Sequence, residues 1–210
     1  MSSGERKRSK EAIPASTCRL LLVRHATSEG SGRFQGHQDV PLTRAGRREL
    51  RFLWQKCSPY PVRSVYSSDL RRARQTAEDL ARRFGLEVQV RPELREIHFG
   101  RWEGLTWDEI ARQDPHLASL WMKRFPYQPI PGGERLWQFT KRITAVVSEI
   151  VDVNRGRCAL LVTHAGVIRA TLGKVLGLPA PNLCRLAQDS CALNIIDFMD
   201  GGAVVRCING

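Results

Sequence analysis

Two short segments of this chain share one pattern, in which an apolar run ends in a histidine. The first reads LLLVRHA (residues 20–26) and the second reads ALLVTHA (residues 159–165). Such short apolar runs are typical of strands buried on both faces, as in a parallel sheet. Ligands of open parallel sheets bind beyond the carboxyl ends of the strands. We therefore expect His25 and His164, each of which follows such a strand, to lie in one pocket.

The rest of the chain alternates strand and helix patterns. Further strands are predicted over 62–66 and 86–90, and a terminal hairpin over 193–207. Apolar residues at helical spacing between Leu136 and Ile150 predict a helix that packs on the core. This alternation predicts an α/β fold, specifically a three-layer α/β/α sandwich with a mostly parallel central sheet and a short helical lid.

Helix ends are predicted from capping residues. Thr43 is suited to cap a helix that runs to about Cys57, and the Ser-Ser-Asp segment 67–69 to cap one that ends at Gly85. Thr106, followed three residues later by Glu109, fits a capping box. A further helix is expected from about Gly166 to Leu176.

The length of 210 residues is that of one domain. We expect residues 1–17 to form a flexible basic tail, and residues 18–210 to form a single catalytic domain with a lid at about 104–131. No apolar run approaches the ~20 residues that span a bilayer, so we expect no membrane partner. The first residues also lack the apolar core of a secretory signal.

The formal net charge of +12 is compatible with three classes of protein and does not distinguish among them. Strong positive charge suits a nucleic-acid binder, a binder of acidic membranes, or an enzyme for anionic substrates. No stacking or groove-binding motif accompanies the charge, so we expect no nucleic-acid partner.

The cysteines are scattered and form no C-x-x-C pair, and the chain has no H-E-x-x-H segment. We therefore expect free thiols in a reducing compartment, the cytoplasm, with no metal site and no cofactor. The six positions are 18, 57, 158, 184, 191 and 207.

The residues around His25 suit chemistry on an anion. A neutral imidazole, with a reference pKa of about 6.5, is a competent nucleophile at neutral pH. Arg24 offers a fork of donors for a phosphoryl group, and Gly30 and Gly32 allow an anion to approach the backbone closely. The segment is neither a Rossmann nor a Walker A glycine pattern.

Together, several segments resemble the histidine phosphatase superfamily, which includes cofactor-dependent phosphoglycerate mutases and their phosphatase relatives. They occur in the family's order and cover roughly residues 18–198. They are LLVRHATS (21–28), RFQGHQDVPLTRAG (33–46), VYSSDLRRARQTA (65–77), LREIHFGRWEG (94–104), PGGE (131–134) and LLVTHAGVIR (160–169).

The resemblance implies a metal-independent phosphomonoesterase. It implies that His25 becomes a phosphohistidine and that Glu96 donates a proton to the leaving oxygen. It further implies that His164 is the third catalytic residue. The residues implied to bind the phosphoryl group, together with His164, are Arg24, Arg72, Ser28, Gln35 and Gly36. His37, His98 and His116 are interpreted as structural or exposed.

The chain departs from the family pattern at three places. Ala26 replaces the usual glycine after the histidine. The stretch from His25 to Gln35 is shorter than is common, so that Ser31 is only a candidate for the usual asparagine. Arg135 stands where the family often has serine.

The short 104–131 segment favours hydrolysis over phosphoryl transfer back to substrate. The closest resemblance is to the small branch with α-ribazole phosphatases and broad-specificity phosphatases. The alternatives are a phosphoglycerate-type phosphomutase, and a catalytically silent or nucleic-acid-binding module. The expected partner is a small phosphorylated metabolite, and a homodimer is left open. Trp102 and Trp107 either line the substrate or pack in the lid.

Overall fold

A computed structural model describes residues 13–210. Its six strands are β1 (Cys18–Arg24), β2 (Val62–Ser67), β3 (Val88–Val90), β4 (Cys158–Thr163), β5 (Leu193–Met199) and β6 (Gly202–Cys207). They form one sheet in the order β3-β2-β4-β1-β5-β6. The first four strands along the chain pair in parallel, and the β5–β6 hairpin joins β1 in antiparallel orientation. The predicted mostly parallel sheet is confirmed.

Helices cover both faces of the sheet. They are α1 (Arg44–Cys57), α2 (Arg71–Phe84), α3 (Trp107–Gln113), α4 (Pro115–Arg124), α5 (Leu136–Val153) and α6 (Ala165–Leu176). Because alternate residues of a strand point to opposite faces, Leu21 and Val23 of β1 pack with α1 and α2. Leu20 and Leu22 pack with α5 and α6. The three-layer sandwich is therefore confirmed.

Two of the predicted caps are present. The Thr43 side chain accepts a hydrogen bond from Gly46 N at 2.9 Å and starts α1. Thr106 and Glu109 form the reciprocal capping box at the start of α3. These caps satisfy backbone N–H groups that have no partner inside the helix.

The predicted cap of α2 is wrong in position. The N-cap residue is Leu70, which makes no side-chain capping bond. Asp69 is unavailable because its carboxylate binds the Arg95 guanidinium, with Nε at 2.8 Å. The Ser68 hydroxyl accepts from Leu70 N instead of from the helix. The helix ends at Gly85 as predicted.

The segment 104–131 contains α3 and α4 and packs around its own apolar cluster. Trp102, Ile110 and Ala118 are buried in that cluster. Trp107 is half-buried beside Trp102, with ring centroids 6.2 Å apart. Both tryptophans therefore pack in this apolar cluster.

Residues 13–17, which the sequence assigned to a flexible tail, pack on the sandwich. Ile13 contacts the core on the α1 and α2 side. Thr17 is buried, and its carbonyl oxygen accepts from Gly156 N at 2.9 Å. The remainder of the predicted tail, residues 1–12, lies outside the described residues.

No helix within residues 13–210 is both long enough and apolar enough to cross a bilayer. All six cysteines are free thiols. Burial raises the pKa of Cys18, Cys57, Cys158 and Cys191 to about 12. These thiols therefore stay protonated at neutral pH and pack as small apolar side chains.

Candidate active site

The two strands that end in histidine are direct neighbours in the sheet. Arg24 of β1 stands opposite Thr163 of β4, so the residue after each strand is a histidine at the same edge. The rings of His25 and His164 are both buried, with centroids 5.2 Å apart and planes at 62°. The structure thus brings together two residues separated by 139 positions in the chain.

These rings open into a cavity of about 230 Å³ at the carboxyl edge of the sheet. Every residue that the sequence singled out for the site lines it. They are Arg24, His25, Ser28, Gln35, Gly36, Arg72, Glu96 and His164, and the candidate Ser31 lines it too. Open parallel sheets bind ligands at this edge.

The His25 ring has a defined tautomer. Its Nδ1 lies 2.8 Å from the carbonyl oxygen of Ala26, which can only accept a hydrogen bond. Nδ1 therefore carries the proton, and Nε2 keeps its lone pair. Burial, together with the charges of Arg72 and Arg24, lowers the pKa of His25 to about 3. The ring is neutral at physiological pH.

The guanidinium of Arg72 is held by backbone carbonyls. Arg72, in the first turn of α2, is 1% exposed. Its two terminal nitrogens donate to Gln38 O at 2.6 Å and Gly36 O at 2.8 Å. Arg24 donates in the same way to Gln188 O at 2.6 Å. The carbonyls fix the orientation of both groups without neutralising their charge.

Four buried nitrogen atoms at the cavity have no hydrogen-bond partner among the described residues. They are Nε of Arg24, Nε of Arg72, and both ring nitrogens of His164. A buried polar group without a partner costs about 1–3 kcal/mol. Burial and the nearby Arg72 lower the pKa of His164 well below its usual value. Such a cluster of donors fits an anion with several acceptor oxygens.

Glu96 stands at the cavity wall, held by backbone amides. Its Oε2 accepts from Gly166 N in the first turn of α6 at 2.9 Å, and its Oε1 accepts from Ile97 N at 2.9 Å. A Cβ atom on Gly166 would clash with Oε1. The close approach of carboxylate and helix therefore requires glycine at 166.

A half-buried ion pair supports the backbone before Glu96. Both carboxylate oxygens of Glu134 accept from Arg142 at 2.7 Å. The same guanidinium donates to the carbonyls of Glu93, Arg95 and Glu96 at 2.7, 2.8 and 3.0 Å. Sequence reasoning had recorded Glu134 only as part of a motif and had missed Arg142, which no local pattern marks.

Of the three histidines predicted to be structural or exposed, His37 contacts the backbone of Glu96. His37 Nε2 lies 2.9 Å from the carbonyl oxygen of Glu96, which accepts a hydrogen bond from it. The His37 and His98 rings meet edge to face with centroids 4.8 Å apart. His116 is exposed. None of the three lines the cavity beside His25.

The polar residues on the loop after β1 form a short chain of hydrogen bonds. Ser28 Oγ donates to Gln35 Oε1 at 3.1 Å, and Gln35 Nε2 donates to Glu29 O. Gly36 contributes its carbonyl to Arg72, and a Cβ atom there would clash with Glu103. The Gly36 carbonyl therefore holds the Arg72 guanidinium at a position where a residue with a Cβ atom would not fit.

Sequence reasoning missed several residues of the cavity wall, among them Phe34, Phe99 and Ser190. Phe34 and Phe99 pack edge to face, with centroids 5.0 Å apart, and Ser190 comes from the loop before β5. Phe34 and Phe99 lie inside the matching segments, but Ser190 belongs to none. Among residues 13–210, no group of three or more histidine, cysteine or acidic side chains could hold a metal ion.

Comparisons with known proteins agree with this geometry. The histidine phosphatase superfamily (branch 1) model matches residues 20–210. The probable phosphoglycerate mutase GpmB of Photorhabdus laumondii is 32% identical over 181 residues, which cover 85% of this chain and 84% of that protein. The adenosylcobalamin/alpha-ribazole phosphatase of Salmonella typhimurium is 28% identical over 193 residues, covering 91% and 96%.

A solved structure shares the fold. The putative alpha-ribazole-5′-P phosphatase of Escherichia coli K-12 superimposes with a TM-score of 0.84 at 27% identity, covering 92% of this chain and 96% of that one. A bifunctional protein of Mycobacterium tuberculosis is 35% identical over 199 residues, but the match spans only 53% of its length. The family match, the fold and the paired histidines agree: this chain belongs to the histidine phosphatase superfamily, branch 1.

Proposed function

We propose that this protein hydrolyses phosphate monoesters of small metabolites through a phosphohistidine on His25. One observation carries the proposal. The buried nitrogens without partners, on Arg24, Arg72 and His164, belong to residues that line one cavity with His25, whose Nε2 keeps its lone pair. A tetrahedral phosphoryl group offers oxygens to each of these donors while its phosphorus faces Nε2. The family membership and the phosphatases among the relatives support the same chemistry.

In the first step, Nε2 of His25 attacks phosphorus and the bond from phosphorus to the ester oxygen breaks. Glu96, in its protonated form, gives its proton to that oxygen, and the alcohol leaves. A positioned general acid contributes about 10²–10⁴-fold for a poor leaving group. The neutral state of His25 keeps its lone pair available for the attack.

In the second step, the Glu96 carboxylate takes a proton from water, and the water oxygen attacks phosphorus. The nitrogen–phosphorus bond breaks, so inorganic phosphate leaves and both residues return to their starting forms. Charge stays on the phosphoryl oxygens throughout, so positioning and cationic stabilisation supply most of the catalysis. Arg24 and Arg72 supply the positive charge, the neutral His164 ring donates a hydrogen bond, and Ser28, Gln35 and Gly36 complete the binding loop.

The test is release of phosphate from p-nitrophenyl phosphate in EDTA, with wild type beside His25→Ala. We expect turnover that does not need a metal and is lost in the variant. A rapid quench with ³²P-labelled ester should trap an acid-labile label on wild type only. Full activity of His25→Ala would overturn the mechanism.

A phosphomutase is the second candidate, because a relative named as a probable phosphoglycerate mutase is 32% identical. A mutase passes the phosphoryl group to a second alcohol rather than to water. Incubation with 3-phosphoglycerate should release free phosphate if hydrolysis dominates. Formation of the 2-phospho isomer without phosphate release would favour the mutase.

We further propose that the α3–α4 segment acts as the lid of a single catalytic domain, since Phe34 of the site loop packs against Trp121 of α4. The free thiols of all six cysteines support a cytoplasmic location. Fractionation of cells that express the tagged chain would test the location. Analytical ultracentrifugation would distinguish a monomer from a homodimer.

A further inference from the structure

A second, larger cavity adjoins the phosphoryl cavity. Its volume is about 590 Å³, and we call it the apolar chamber. Three residues, Phe34, Glu96 and Phe99, line both cavities. The Glu96 carboxylate therefore stands at the junction between the place for the phosphoryl group and the chamber. An ester oxygen that receives a proton from Glu96 would have its alcohol part on the chamber side.

The chamber wall is dominated by large apolar side chains from separate elements. Its members include Trp121, Phe125, Ile130, Leu136, Trp137 and Leu183. Trp121 and Phe125 meet edge to face, with centroids 4.7 Å apart. A cleft of about 300–1,000 Å³ with such walls suits an organic ligand rather than a small hydrated alcohol.

Aromatic residues are also exposed at the chamber. Trp137 is 61% exposed and Tyr127 is 67% exposed, although both are large and apolar. Exposed apolar surface in a groove marks a binding surface. Arg135 and Arg169 supply the cationic groups of the wall, and Arg169 Nε already donates to Leu186 O at 2.9 Å.

We propose that the apolar chamber binds the alcohol part of the substrate. The preferred substrates are then phosphate monoesters of bulky, aryl-bearing alcohols. Burial of aryl surface against Trp121, Phe125 and Trp137 stabilises the bound ester and its transition state alike. This inference rests on the proposed phosphatase function, because it uses Glu96 as the boundary between the two parts of the substrate.

The test compares three esters of primary alcohols, so that the leaving oxygens are alike. They are ethyl phosphate, 2-(1-naphthyl)ethyl phosphate and 3-phosphoglycerate. We expect kcat/KM for the naphthyl ester to exceed both others by about tenfold or more, as apolar pockets discriminate on this scale. Equal kcat/KM values for the three esters would overturn the inference. A preference for 3-phosphoglycerate would also overturn it, and would indicate that Arg135 and Arg169 bind an anionic substrate.

Trp137→Ala removes part of the wall at a position that is already 61% exposed, so the fold should tolerate it. Phe52→Ala is the matched control, because Phe52 is 62% exposed on α1 and lines neither cavity. We expect Trp137→Ala to lose about tenfold on the naphthyl ester and less than about threefold on ethyl phosphate. Phe125→Ala should do the same. Equal losses on both esters would contradict the inference.

Binding separates this inference from the proposed function. Calorimetry on His25→Ala measures the Kd of each ester without turnover. A Kd for the naphthyl ester at least about tenfold below that for ethyl phosphate supports the chamber even if wild type shows no phosphatase activity. Similar Kd values with an active wild type would overturn the chamber inference and leave the phosphatase standing.

Discussion

Gly166 and Glu96 are in direct contact through the first turn of α6, where Gly166 N donates to Glu96 Oε2 at 2.9 Å. No side chain fits between them, because a Cβ atom on Gly166 would clash with Oε1. The glycine therefore sets where the carboxylate stands relative to His25. The position of the proposed proton donor depends on a residue that carries no side chain.

Gly166→Ala should displace the Glu96 carboxylate. We expect kcat for an alkyl phosphate to fall by about 10²-fold, because proton donation to a poor leaving group is lost. For p-nitrophenyl phosphate the fall should be much smaller. Gly202→Ala is the control, since nothing lies within 4 Å of the added Cβ atom there. Unchanged alkyl phosphate turnover in Gly166→Ala would argue against the acid role.

Arg72→Lys should weaken phosphoryl binding and catalysis together. The lysine ammonium is a single compact charge, so it cannot span Gly36 O and Gln38 O as the two terminal nitrogens of Arg72 do and also occupy the place of Nε. Loss of one such donor costs about 10²–10³-fold in kcat. Arg71→Lys, on the exposed side of the same helix, should leave kcat/KM unchanged. Steady-state kinetics at fixed ionic strength would distinguish the two variants.

Arg142→Lys should disturb Glu96 without touching the substrate. The lysine cannot replace five hydrogen bonds, two to Glu134 and three to backbone carbonyls. We expect the loss in kcat to be larger for alkyl phosphates than for p-nitrophenyl phosphate, and the free energy of unfolding to fall by about 1–3 kcal/mol. Lys141→Arg, exposed on α5, serves as control. A uniform loss on both substrates would show a structural role alone.

Stability should depend on pH through the buried histidines. Burial lowers the pKa of His25 to about 3 and that of His164 well below its usual value. Below about pH 6.5 the unfolded chain therefore binds more protons than the folded chain. The free energy of unfolding should fall with decreasing pH by about 1.4 kcal/mol per pH unit for each histidine, until the pH reaches its folded-state pKa.

Urea unfolding at pH 7 and pH 5 measures this dependence. His164→Gln should show a smaller loss of stability between the two pH values than wild type, because one of the two buried histidines is gone. His116→Gln, at an exposed position, should keep the wild-type difference. An unchanged difference in His164→Gln would contradict the assignment.

Much of the fold was predictable because its signals are local. A strand buried on both faces needs a continuous apolar run, and residues 18–23 and 158–163 supply one each. Thr43 and Thr106 cap their helices with side chains that reach only three residues ahead. The predicted cap of α2 was wrong because the Asp69 carboxylate pairs with Arg95, which lies 26 residues away in the chain.

Periodicity, capping residues and motifs were enough to predict most of the helices and strands, the three layers and most of the residues that line the cavity beside His25. How those residues are held depends on contacts between distant parts of the chain. The carbonyls of Gly36 and Gln38 orient Arg72, and Arg142 secures the backbone before Glu96. The apolar chamber likewise draws its wall from α4, α5 and the segment after α6. Contacts between distant residues depend on how the layers pack, and no local pattern encodes them.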